Sequence, residues 1–183
     1  MVSLLSTTNS NEWIFPTVIW LAVILSAFIL RIIITGLTRQ AIKQFKLMNY
    51  SAVLKHKQAI TKLNKFPTKV FNSVCAMVAV SSFELGNDDD FAHYINLIKD
   101  TNCSAKAYWK CVYMFFREQP DNFEMYFTEL NQIAEKDNSE ANKVYLQNIC
   151  TLIKKKNGEV ILGEEKSQIQ NSLSKTIKEY INQ

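Results

Sequence analysis

Glycine and proline are scarce, with 4 and 3 among 183 residues. That argues against a meandering all-β chain, which needs a tight turn about every ten residues. Histidine is rarer still, at 2, and the 4 cysteines (Cys75, Cys103, Cys111, Cys150) form no CxxC pair. The spacing offers neither a disulfide framework nor a zinc ligand set, so free, mostly buried thiols in a reducing compartment are expected. HExxH, GxSxG, GxGxxG and GxxxxGK are all missing. The sequence therefore predicts no enzyme, no cofactor and no metal. The run Asp88-Asp89-Asp90 lacks the alternating acidic ligands and closing Glu of a calcium loop, and is expected to cap a helix. His93, with no nucleophile motif beside it, is expected to be an ordinary surface or core residue.

Charge is missing where it matters most. Residues 1–30 hold one charged side chain, Glu12, and from Arg31 to Lys69 there is no Asp or Glu against nine cations. The net charge of +4 hides this asymmetry. Such a block fits nucleic acid, a membrane surface or a topology signal. Aromatics are sparse within it, so nucleic acid is not expected as a partner.

What precedes the block decides the matter. Trp13 to Leu30 is an uncharged run of 18 residues that resumes as Ile32-Ile33-Ile34, long enough at about 1.5 Å per residue to cross a bilayer. A cleaved signal peptide fits poorly, because no cation precedes the run and no small-x-small site follows it. The expected organisation is a short external N-terminus (1–12), a transmembrane helix (13–37), basic juxtamembrane helices (38–66) and a helical domain (67–183). The positive-inside rule places the N-terminus outside and the remainder in the cytoplasm. Arg31, Arg39, Lys43 and Lys46 are the candidate membrane-surface residues, with anionic headgroups as their ligands. The Lys-, Asn- and Ile-rich composition suggests an AT-rich genome and a bacterial plasma membrane. The second uncharged run, Val70 to Phe83, is too short to span and reads as a buried core helix.

The rest is helical in period. Ala105, Tyr108, Trp109, Val112, Phe115 and Phe116 follow i, i+3, i+4, i+7, as do Phe123, Tyr126, Phe127, Leu130, Ile133 and Ala134. Breaks between such stripes predict helices over 38–47, 50–65, 68–85, 89–99, 103–118, 121–136, 139–156 and 164–181. Alternate helices start near 68, 103 and 139, a period in the 30s typical of helix-hairpin arrays. A shift of 34 lays Phe71 and Cys75 on Ala105 and Trp109, and a shift of 32 lays residues 87–98 on 119–130.

Residues 50–183 thus resemble the tetratricopeptide class of repeats in architecture. Leu85-Gly86 matches that family's Leu-Gly pair, whereas Ser82 and Asp89 stand where it has a large aromatic and a Tyr. The expected fold class is all-α: an N-terminal transmembrane helix followed by an α-solenoid-like array of antiparallel helix hairpins. The resemblance implies protein–protein interaction, and no carboxylate clamp transfers residue by residue. Tyr113 and Met114, off the assigned stripe, are the candidate partner-binding residues, and Trp109, within it, is expected in the core. The function expected is that of a membrane-anchored adaptor or assembly factor whose partners belong to a membrane complex. A regulatory or immunity-type protein acting through its transmembrane helix, and a membrane-associated enzyme accessory, are the alternatives.

Overall fold

The computed structural model describes residues 14–58, 68–99, 103–170, 172 and 174–183. Every regular element among them is an α-helix: α1 (Ile14–Lys46), α2 (Tyr50–Leu54), α3 (Thr68–Glu84), α4 (Asp88–Asn96), α5 (Ser104–Phe116), α6 (Pro120–Lys136), α7 (Glu140–Lys156), α8 (Gly163–Gln170) and α9 (Lys175–Asn182). The helix expected over 50–65 is interrupted after Leu54 by a turn at 55–56 and is helical again at 57–58; its remainder, with most of the expected break at 65–68, falls outside the described residues. The helix expected over 164–181 is two helices. Ser174 ends the continuity by accepting from the Ile177 N–H as the N-cap of α9, a role that short hydroxyl side chains fill better than they fill helix interiors.

One apolar helix, Pro16–Lys46, is long and apolar enough to cross a membrane, and only 6% of its most apolar stretch is buried. The Val70–Phe83 run behaves in the opposite way. Ten residues of α3 are buried, among them Val74, Cys75, Val78, Ala79 and Phe83, so it is the central helix of the folded part. Its hydroxyls are satisfied within the helix, Ser81 and Ser82 donating to the carbonyls of Met77 and Val78 at 2.9 Å.

Helices α3 and α4 pack as one pair and α5 and α6 as another, with α7 against both α5 and α6 and with α3 touching α5. The starts of α3, α5 and α7, at Thr68, Ser104 and Glu140, lie 36 residues apart. Under that shift Phe71 matches Ala107 and Cys75 matches Cys111, all four buried, which corrects the 34-residue register. Helices α3 and α7 have 17 residues each and α5 has 13, a deficit of about one turn that keeps the same faces in register.

Helices α1, α3, α5 and α7 all end alike. Two residues beyond each helix stands a left-handed residue: Met48 (φ 55°), Gly86 (φ 71°), Glu118 (φ 53°) and Gly158 (φ 74°). In each case the next N–H reaches back five residues, Asn49 to Gln44, Asn87 to Ser82, Gln119 to Met114 and Glu159 to Lys154. This is the Schellman closure, which satisfies carbonyls the helix end leaves open. At the first three turns the following residue is at once the N-cap of the next helix. Asn49 and Asn87 accept from the N–H three residues on, at 3.3 and 3.2 Å. The cap of α4 is therefore Asn87, not the aspartates. Those fill the first turn, where Asp90 pairs with Lys57 at 2.5 Å and Asp88 with Arg117, tying α4 to the segments before and after it.

The long helix belongs to this packing. Past Arg31 its inward residues are Ile34, Leu37, Thr38, Ala41 and Phe45, at helical spacing, with Ile34 and Ala41 buried. Ile34, Ala41 and Val53 share one core cluster with α3 to α9, so no packing boundary separates residues 38–58 from the rest.

Candidate interaction surface

The aromatic-rich helix α5 turns a different face to the core than its periodicity suggests. Ala107, Tyr108, Cys111 and Val112 are its buried residues. Tyr113 lies beside them: its ring stacks on Phe91 of α4 at 4.3 Å and 10°, meets Phe83 edge-on at 6.2 Å, and carries the Arg117 guanidinium at 5.4 Å. It therefore joins the two hairpins and is not an off-stripe groove residue. Trp109 takes the converse place. It is half-buried and opens onto a surface groove. The two roles are exchanged because α5 is apolar almost all round, so that periodicity alone could not choose its inner face.

That groove, of ≈ 550 Å³, runs between the end of α1 and the facing sides of α3, α5 and α7, within the range of ordinary ligand clefts. Ser73, Trp109 and Tyr145, at 36-residue intervals, occupy equivalent places along it. Ile42, Phe45 and Lys46 supply the wall from α1, and Gln168 and Ser172 the edge beside α8. Tyr108 and Tyr145 stack at 4.6 Å, with Trp109 edge-on to Tyr108 at 5.1 Å. Asn148 stands among these rings, only 7% exposed. Its side chain lies beside the Tyr108 phenol and favours the ionised form, while its Oδ1 has no partner among the described residues. Burial pushes the Tyr108 phenol well above its ordinary range.

Met114 lines a second cleft of ≈ 550 Å³ at the α5–α6 turn, with Phe115, Phe123, Glu118, Ile153 and Lys156 among its walls. This cleft is separate from the groove and shares no lining residue with it.

The last of the described helices, α9, packs into the same core. Ile177 and Ile181 of α9 are buried, and Tyr180 meets Phe115 and Phe116 edge-on at 5.6 and 5.4 Å. The α9 N-terminus is held by Glu84 at the end of α3: the carboxylate accepts from the Ser174 hydroxyl and, at 3.1 Å, from both the N–H and the hydroxyl of Thr176. A carboxylate at a helix N-terminus also meets the favourable end of the dipole. The Lys175 N–H donates to the Tyr50 hydroxyl at 3.2 Å. Burial and then Glu84 push that phenol up to about 12.

The cations expected at a membrane surface are all exposed: Arg31, Arg39, Lys43 and Lys46. Arg39, Lys43 and Lys46 follow i, i+4, i+7 on the side of α1 opposite Ile34, Ala41 and Phe45, and Lys46 turns the corner into the groove wall. At about 1.5 Å per residue, Lys46 stands roughly 22 Å past Arg31 along the helix.

The thiols are dispersed. Cys75 and Cys111 are buried, Cys103 half-buried and Cys150 exposed. Burial pushes Cys75 up to about 11 and Cys111 up to about 12, which suppresses the thiolate at neutral pH. Among the described residues no three His, Cys, Asp or Glu side chains gather as a metal site would require. Set against protein-family models, curated proteins and solved structures, the chain matches none.

Proposed function

We propose that the protein is a single-pass membrane-anchored adaptor, a helical-hairpin array of solenoid type fixed to the bilayer that recruits a protein partner, with the array on the cytoplasmic side. The observation that carries this reading is the continuity of α1. A single helix, Ile14–Lys46, leaves its apolar stretch and without a break supplies the groove wall. The recurring 36-residue starts and Schellman turns support the array. The lopsided charge around the span supports the orientation. Measured from the end of the apolar run at Ile34, Arg39 stands roughly 7.5 Å along the helix, within the screening length of about 8 Å as Arg31 is, while Lys43 and Lys46, at roughly 14 and 18 Å, stand beyond it.

Photo-crosslinking in the native membrane tests this. A benzophenone side chain at Val144, in the groove, should give a discrete higher-mass adduct, and one at exposed Glu135 on α6 should not. Ala76→Trp, which fills the groove, should remove the adduct. Absence of any adduct at Val144, or an equal one at Glu135, would count against the adaptor reading.

A further inference from the structure

The groove differs chemically from the rest of the surface, and from these differences the class of its occupant follows. Among the described residues its lining holds no carboxylate, and the charged member there is Lys46. From that corner Lys43 and Arg39 continue one above the other along the exposed side of α1, so the groove has an apolar trough and one cationic edge. Asn148 also lines it, 7% exposed, and its Oδ1 has no partner among the described residues. A buried acceptor without a donor is costly, and a partner that brings an N–H or O–H recovers that cost. The walls are rigid aromatics, Tyr108, Trp109 and Tyr145, which give apolar contact with little loss of side-chain freedom.

Resting on the adaptor reading, we infer that this groove binds an acidic amphipathic helix of a partner protein, its apolar face carrying a hydroxyl or amide donor for Asn148 and its acidic flank lying along Lys46, Lys43 and Arg39. A lipid seated in the bilayer is excluded by distance. Ile42, the groove residue nearest the span, lies roughly 16 Å past Arg31, and an acyl chain would have to leave the hydrocarbon to reach it. The trough is open and walled by three parallel-running repeat positions, Ser73, Trp109 and Tyr145, which suits an elongated segment docking through anchors at i, i+4 and i+7.

Trp109 serves as the reporter in a full-length background carrying Trp13→Phe and Trp20→Phe, which removes the other two indoles. Full-length protein in phosphatidylcholine nanodiscs is titrated with a tryptophan-free 16-residue helical peptide carrying Leu, Tyr and Leu at i, i+4 and i+7 and glutamates on the remaining face, with emission excited at 295 nm. A saturable blue shift is expected, at least tenfold tighter than for the same peptide with lysines in place of the glutamates. The shift should vanish in Ala76→Trp, read by polarisation of a labelled peptide, since that variant adds an indole. Lys43→Glu with Lys46→Glu should weaken binding about tenfold, as should Asn148→Leu, which removes the acceptor. Equal binding of both peptides, or tighter binding of the basic one, would overturn the acidic partner while leaving a peptide groove standing. Binding of neither peptide would overturn the inference, and the adaptor reading would then rest on the Val144 adduct alone. If phosphatidylglycerol in the nanodisc, without peptide, produced the same shift of Trp109, the groove would be serving lipid and the inference would fail.

Discussion

Replacing Tyr113 with alanine tests whether the joint between the hairpins is the aromatic cluster of α4 and α5. Truncating a fully buried large aromatic costs about 3–5 kcal/mol. Tyr113 is half-buried, which scales that to about 2 kcal/mol. The stacked pair with Phe91, at 4.3 Å and 10°, adds about 1 kcal/mol beyond buried area. Tyr113→Ala should therefore cost about 3 kcal/mol. Trp109 is also half-buried, but it opens on the groove, so its truncation leaves no enclosed cavity and should cost only about 1 kcal/mol. For a folded part of this size, 1 kcal/mol moves Tm by about 2–4 °C. Thermal melts of the full chain in mild detergent, followed at 222 nm, should show Tyr113→Ala lowered by about 6–12 °C and Trp109→Ala by about 2–4 °C. A double-mutant cycle with Phe91→Leu should return a coupling near 1 kcal/mol. Should Trp109→Ala prove as destabilising as Tyr113→Ala, or the coupling vanish, the assignment of the inner face of α5 would be refuted.

Glu84→Ala removes the acceptor that holds Ser174 and Thr176 and should cost about 2 kcal/mol, with faster amide exchange confined to α9; Glu84→Gln should cost roughly half that. Alkaline pH should destabilise the fold. Tyr50, Cys75 and Cys111 all have folded values raised above their ordinary ones, to about 12, 11 and 12, so their contribution is complete below about pH 9 and is lost as pH rises towards 12. Urea midpoints should be level from pH 7 to 9 and fall above that; a midpoint that rises through this window would contradict the burial of these groups. With an aromatic disulfide reagent at pH 8, exposed Cys150 should react in the native protein, while Cys75 and Cys111 should react only after unfolding. A cysteine placed at Ser3 should be labelled by an impermeant reagent from outside intact cells and one at Asn182 should not; the reverse pattern would invert the proposed orientation.

Much of this architecture was legible because helical period and helix punctuation are local signals. The starts of α3, α5 and α7 were found within one residue, and the uncharged run from Val70 to Phe83 was recognisable as core by its length. Three features were hidden for identifiable reasons. Helix α5 offers apolar residues on every side, from Ala105 through Phe116, and both sides are used, one for the hairpin joint and one for the groove. The period was therefore right and the face was wrong. Two of the four Schellman turns use Met48 and Glu118 in the left-handed region, where glycine is the usual marker, so the recurrence was visible only in the backbone. The groove itself joins residues from Ile42 to Ser172, and no spacing rule links segments so far apart. Asn148 gave no signal at all, since a lone asparagine in a helical stripe is ordinary until its carbonyl is found without a donor.

By sequence the end of α1 is a basic juxtamembrane helix, because cations there are what a topology signal requires. In the structure the same segment meets three demands on three sides of one helix. Ile34, Ala41 and Phe45 face the core, Arg39 and Lys43 face outward, and Ile42 and Lys46 turn to the groove. Helical geometry permits this because residues three, four and seven apart share a side while those between are carried round by about 100° each. To shift the groove wall relative to α3, Ile34 and Ala41 would first have to leave the core, at a cost of about 2–4 kcal/mol for that apolar burial. A flexible linker in the same place would let the folded part wander at no such cost. The groove wall therefore moves with the apolar helix, and any tilt of one is a tilt of the other.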